Sequence, residues 1–108
     1  MNPIVTRLDL QQVLASAGDR FVCVKFTNKP SEKKNSVLQS LISKYTRQFL
    51  VCVADVKTDN SVELFDHFNI DSTPTFVFMW RNKVVHVLKG DDEKLLKYAF
   101  EVLSGINQ

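Results

Sequence analysis

Three short apolar runs constrain this chain more than any other feature. Phe21–Phe26, Phe49–Val56 and Thr75–Trp80 are dense in β-branched and aromatic residues and bounded by turn-forming ones. Each is too short for a helix and too continuously apolar for a surface strand, so each reads as a strand buried on both faces. Between them the period changes to that of a helix. Leu10, Val13, Leu14 and Ala17 repeat at helical spacing before Gly18. Val37, Leu38, Leu41, Ile42 and Tyr45 do the same, opened near Pro30 and Ser31, and a shorter set, Val62, Leu64, Phe65 and Phe68, stops at Asn69. The pair Arg81-Asn82 predicts a tight turn joining Thr75–Trp80 to a hairpin partner over Lys83–Leu88. After Gly90, Asp91 is expected to cap a last helix with an inward face of Leu95, Leu96, Ala99, Val102 and Leu103, ended by Gly105.

Strands separated by helices pair in parallel, whereas a tight hairpin is antiparallel. With a weak first strand near Ile4–Thr6, the order predicts a single α/β domain over residues 1–108. Its mixed sheet of four to five strands has helices on both faces. The length suits one core and no more.

Charge and composition narrow the function classes. Fourteen Lys and Arg against twelve Asp and Glu leave a net charge of +2, too little to imply nucleic acid by itself. The densest basic stretch, Lys25 to Lys34, holds four lysines and one glutamate, and nucleic-acid contact through it is the rival reading. It has no aromatic residue beyond Phe26, which counts against base stacking. No uncharged stretch exceeds nine residues, so no membrane span is expected. Two cysteines make no disulfide framework, and with no secretory leader legible the expected location is cytoplasmic or nuclear. His67 and His86 have no Cys, His or acid neighbours at ligand spacing, and Asp91-Asp92-Glu93 reads as acids at a helix start rather than a metal cluster. No cofactor or metal is expected.

The segment Phe68-Asn69-Ile70-Asp71-Ser72-Thr73-Pro74-Thr75-Phe76 resembles the thioredoxin family's loop into a cis-proline followed by Thr-Phe. Val53-Ala54-Asp55-Val56 and Gly90 before the last helix fit the same pattern, and the resemblance spans residues 4 to 104. The hairpin Trp80-Arg81-Asn82-Lys83-Val84 is similar to that of the proteasome-associated and spliceosomal thioredoxin-like proteins. The resemblance implies a thioredoxin fold and a cis Thr73–Pro74 bond. Thioredoxins also carry Cys-Gly-Pro-Cys at the start of the second helix. Counting back from Ser43-Lys44-Tyr45 sets Asn28-Lys29-Pro30-Ser31 on those positions, with both cysteines replaced. Lys25 occupies the place where the family usually keeps a buried acid.

Thiol–disulfide exchange needs an attacking thiolate and a resolving thiol, and neither Asn28 nor Ser31 supplies one. The expectation is therefore a redox-inactive, non-enzymatic module that binds protein partners. Its surface would comprise Asn28, Lys29, Pro30, Ser31, Ser72, Thr73 and Pro74, with no catalytic residue. The second rival is residual thiol-dependent oxidoreductase activity through Cys23 or Cys52, both within apolar strands and expected to be core thiols.

Overall fold

Thr6 starts the first helix by a reciprocal cap. Its Oγ1 accepts from the Asp9 N–H at 3.1 Å, while Asp9 Oδ2 accepts from the Thr6 N–H at 3.0 Å, which satisfies donors that the helix leaves unpaired. The computed structural model describes residues 2–28, 36–54 and 60–106. In chain order these form β1 (Asn2–Pro3), α1 (Arg7–Ala17), β2 (Phe21–Phe26), α2 (Ser36–Lys44), β3 (Phe49–Ala54), α3 (Val62–His67), β4 (Thr75–Trp80), β5 (Lys83–Lys89) and α4 (Glu93–Ile106).

The strands make one five-stranded sheet in the order β1-β3-β2-β4-β5. β1 and β2 run parallel to β3, while β4 is antiparallel to both β2 and β5. The mixed sheet is thus the expected one, and its first strand is shorter and earlier than Ile4–Thr6. Ile4 is instead buried just beyond β1, where its N–H donates to the Val53 carbonyl at 2.9 Å.

The sheet divides the core in two. On one face Phe21, Cys23, Phe49, Val51, Phe76 and Phe78 pack under α2 and α4. On the other Val22, Val24, Phe26, Cys52, Ala54 and Val77 pack under α1 and α3. Alternation along each strand, two residues per repeat, assigns neighbours to opposite faces.

At the β4–β5 turn Arg81 and Asn82 both take positive φ, 50° and 66°, the geometry that suits a two-residue hairpin. Arg81 is an unusual residue there. Its guanidinium lies 4.3 Å from the centre of the Trp80 ring and 3.3 Å from Asp19 Oδ1, and Trp80 Nε1 donates to the Asp19 carbonyl at 3.0 Å. These contacts tie the hairpin to the loop after α1.

The last helix departs from the sequence reading in three ways. Asp92, not Asp91, is the cap: its Oδ1 accepts from the N–H groups of Lys94 and Leu95 at 3.0 and 3.2 Å. The buried face is Leu96, Ala99, Phe100 and Leu103, while Leu95 and Val102 lie outside it. The helix also passes through Gly105 to Ile106. Replacing Asp92 with alanine should cost about 1 kcal/mol by chemical denaturation, and Asp91 with alanine less than about 0.5 kcal/mol. Equal costs at the two positions would contradict the assigned cap.

Candidate functional site at the end of the central strands

β2 and β3 finish together, because the Thr27 N–H donates to the Ala54 carbonyl at 3.1 Å. Asn28 then emerges exposed. On the other side of β2, Phe26 pairs with Thr75, the first residue of β4. The Thr73–Pro74 bond is cis, and the loop before it is anchored at both ends. Thr75 Oγ1 donates to the Ser72 carbonyl at 2.7 Å, and the Gly90 N–H donates to the Pro74 carbonyl at 2.9 Å. Gly90 has φ 95°, where a side chain would be strained. Asn28, Ser72, Thr73 and Pro74 therefore lie at one end of the sheet. Lys29, Pro30 and Ser31 fall outside the described residues. Between the two anchors, the Thr73 main chain takes part in none of the described hydrogen bonds.

Lys25 interrupts the otherwise buried strand β2 as its half-buried member. Its Nζ is 5.9 Å from the centre of the Phe76 ring, a cation–π arrangement. Lys25 consequently lies against a core ring and is no part of an open basic face. The remainder of the basic stretch, Lys29 to Lys34, is outside the described residues, so nucleic-acid contact through Lys25–Lys34 gains nothing from the geometry.

The two thiols are fully buried and separated by the sheet. Cys23 is opposite Val51 and Cys52 opposite Val24, so the two side chains enter different halves of the core. A disulfide between them has no geometry available without unfolding a strand. Burial pushes the Cys23 thiol far above its ordinary range, with the nearby Cys52 adding to the rise and Lys25 opposing it. Burial also raises Cys52, to about 11. Their faces were not legible in sequence, since only the strand register assigns them.

His67 and His86 are exposed, each with a ring contact to a phenylalanine: His67 to Phe68 at 4.8 Å and His86 to Phe78 at 5.7 Å. Among the described residues no three His, Cys, Asp or Glu side chains come together as a metal site, and no helix is long and apolar enough to cross a membrane.

This fold, with its cis-proline loop beside the end of the second strand, is that of the thioredoxins. The chain is 29% identical to Thioredoxin-1 of Drosophila yakuba over 99 residues, covering 89% of this chain and 91% of that protein. It superposes on the germline-specific thioredoxin Deadhead (Thioredoxin-1) of Drosophila melanogaster with a TM-score of 0.81 and 26% identity, over 95% of this chain and 99% of the other. Fasciola hepatica thioredoxin shares the fold at a TM-score of 0.77 and 22% identity, over 94% and 98% of the two chains. No family model matches the sequence. The chain is a member of the thioredoxin-like superfamily with a five-stranded thioredoxin fold.

These relatives correct the functional expectation. The expectation of a redox-inactive, non-enzymatic interaction module rests chiefly on the replaced Cys-x-x-Cys positions, with Lys25 in place of the usual acid as a lesser argument. The proteins that match nearly end to end are named thioredoxins, and the class they define is that of thiol–disulfide oxidoreductases. Residue replacement at one motif is a narrower signal than similarity carried along the whole chain.

Proposed function

We propose that the chain is a thiol-dependent oxidoreductase of the thioredoxin class, acting on the disulfide of a protein partner. The observation that carries this reading is the likeness to thioredoxins over 89% of the chain. The sequence has two cysteines, and their opposite faces make the exchange a single-thiol one. Cys52 is the better nucleophile of the two, because its thiol is raised less, to about 11. Its position also favours local opening. The outer neighbour of β3 is the two-residue strand β1, with Asn2 opposite Cys52, and so short an edge strand adds little to local stability.

The steps balance with a low-molecular-weight thiol as reductant. The Cys52 thiolate attacks one sulfur of the partner's disulfide, forming a mixed disulfide and releasing the other partner sulfur as a thiolate. A glutathione-type thiolate then attacks the partner sulfur of that mixed disulfide, which returns Cys52 as thiolate and leaves the partner disulfide-bonded to the small thiol. The test is reduction of insulin by glutathione, with and without the protein. Wild type and Cys23→Ala should accelerate it, and Cys52→Ala should not. No acceleration by wild type, or full activity in Cys52→Ala, would sink the proposal.

A further inference from the structure

Six of the eight large apolar side chains that stand exposed among the described residues belong to two adjacent elements: Val84, Val85 and Val87 of β5, and Leu95, Tyr98 and Val102 of α4. β5 is an edge of the sheet, paired only with β4. Leu88 shares its core cluster with Leu96, Ala99 and Phe100, so α4 reaches over to β5. α2 packs on β3, and Lys97 and Glu101 line the cleft between α2 and α4. The helical period sets Leu95 and Val102 on the other flank of α4, with Tyr98 beside them. With the strand order β3-β2-β4-β5, that flank overhangs the open edge. On the opposite face of the sheet Val84 and Val87 pair with Met79 and Val77, which belong to the α1 and α3 side. Apolar surface therefore borders the edge both above and below. Single exposed hydrophobics need no explanation, but a group gathered at one edge does.

The charges along the same edge are polarised. Arg81 and Lys83 stand at the start of β5, and Asp91, Asp92 and Glu93 follow its end. Lys89, between the two groups, is held by Asp71 at 3.2 Å. Lys83 and Asp91 lie four residues to either side of Val87. Two such edges laid antiparallel about a two-fold axis near Val87 bring the basic start of each to the acidic end of the other. We infer that the β5 and α4 edge is a two-fold interface with a second copy of this chain. A partner carrying one sign of charge would meet its own sign at one end, whereas this edge is its own complement. Six side chains of this size, each about half exposed, offer roughly 500 Å² of apolar surface. The strand edge and its charged ends bring a second copy close to the roughly 800 Å² per partner of a standard interface. The register shift at Phe78/Met79 interrupts β5 near Val85, so side-chain contact, more than a full backbone ladder, holds the copies together.

Sedimentation equilibrium from about 1 to about 200 μM tests this, with a dissociation constant expected on the order of 10 μM. The wild-type mass should rise across that range from one chain to two, leaving folded monomer at the dilute end. Val87→Lys and Tyr98→Glu should each weaken the dimer at least tenfold, while Leu8→Glu, at an exposed position on α1, should leave it unchanged. Circular dichroism at 1 μM should show all three folded, since each position is exposed. Lys83→Glu and Asp91→Lys should each weaken the dimer about threefold to tenfold, and both together in one chain should restore it, because the exchanged charges still meet across the axis. A monomer at every concentration overturns the inference. So does a dimer that Val87→Lys and Tyr98→Glu leave intact, or one that Leu8→Glu weakens equally. A double charge variant no tighter than either single one overturns the antiparallel two-fold arrangement.

Discussion

Alkylation of Cys52 by iodoacetamide in a Cys23→Ala background should speed up about ninehundredfold between pH 7 and pH 10. A thiol raised to about 11 is about one part in ten thousand thiolate at pH 7, and the fraction gains tenfold per unit until the pH approaches that value. A thiol with an ordinary pKa of 9.0 would gain only about ninetyfold over the same range and level off above pH 9. Mass spectrometry of the labelled protein against time separates the two curves. A plateau at pH 9 would mean that the thiol is in water and that the buried position assigned to it is wrong.

The same burial makes stability depend on alkaline pH, with a definite sign. Both thiols have folded pKa values above their unfolded ones, so between about pH 9 and 11 the unfolded chain holds fewer protons than the folded chain. Stability is then complete below about pH 9 and falls as the pH rises through the folded values, by up to about 1.4 kcal/mol per unit for each thiol. Denaturant midpoints measured from pH 8 to pH 10.5 should show this decline, and it should be shallower in Cys52→Ala than in wild type.

Phe100→Ala should be the most damaging of the α4 substitutions, at about 3–5 kcal/mol. The Phe100 ring is fully buried and lies 4.5 Å from the centre of Phe49, 5.6 Å from Phe78 and 5.9 Å from Tyr45. Removing it opens a void where the sheet, α2 and α4 meet, in a cluster where Phe100 meets Phe78 edge to face and Phe49 and Tyr45 at a tilt. Leu95→Ala and Val102→Ala, at 50% and 43% exposure, should each cost less than about 1 kcal/mol. Urea denaturation of the three variants decides whether the inward face is the one the structure assigns. Similar costs for Leu95 and Phe100 would mean that α4 is rotated from its assigned orientation.

By itself the sequence determined the elements that punctuation and period specify. The strand Phe21–Phe26, the strand Thr75–Trp80 and the Arg81-Asn82 turn stand where the pattern places them, because runs of β-branched and aromatic residues and left-handed turn positions are local preferences. The thioredoxin fold was legible from the Thr73-Pro74-Thr75-Phe76 segment for a related reason: that loop is short and its residues act on their own backbone. The face of α4 was not legible. Leu95, Leu96, Ala99, Phe100, Val102 and Leu103 offer more apolar residues than one face can bury, so the choice among them falls to the aromatic cluster contributed by Tyr45, Phe49 and Phe78. The separation of Cys23 from Cys52 and the setting of Lys25 beside Phe76 were likewise decided by tertiary structure. Each depends on the register between strands distant in the chain, and a slip of one residue would send every one of these side chains to the opposite face.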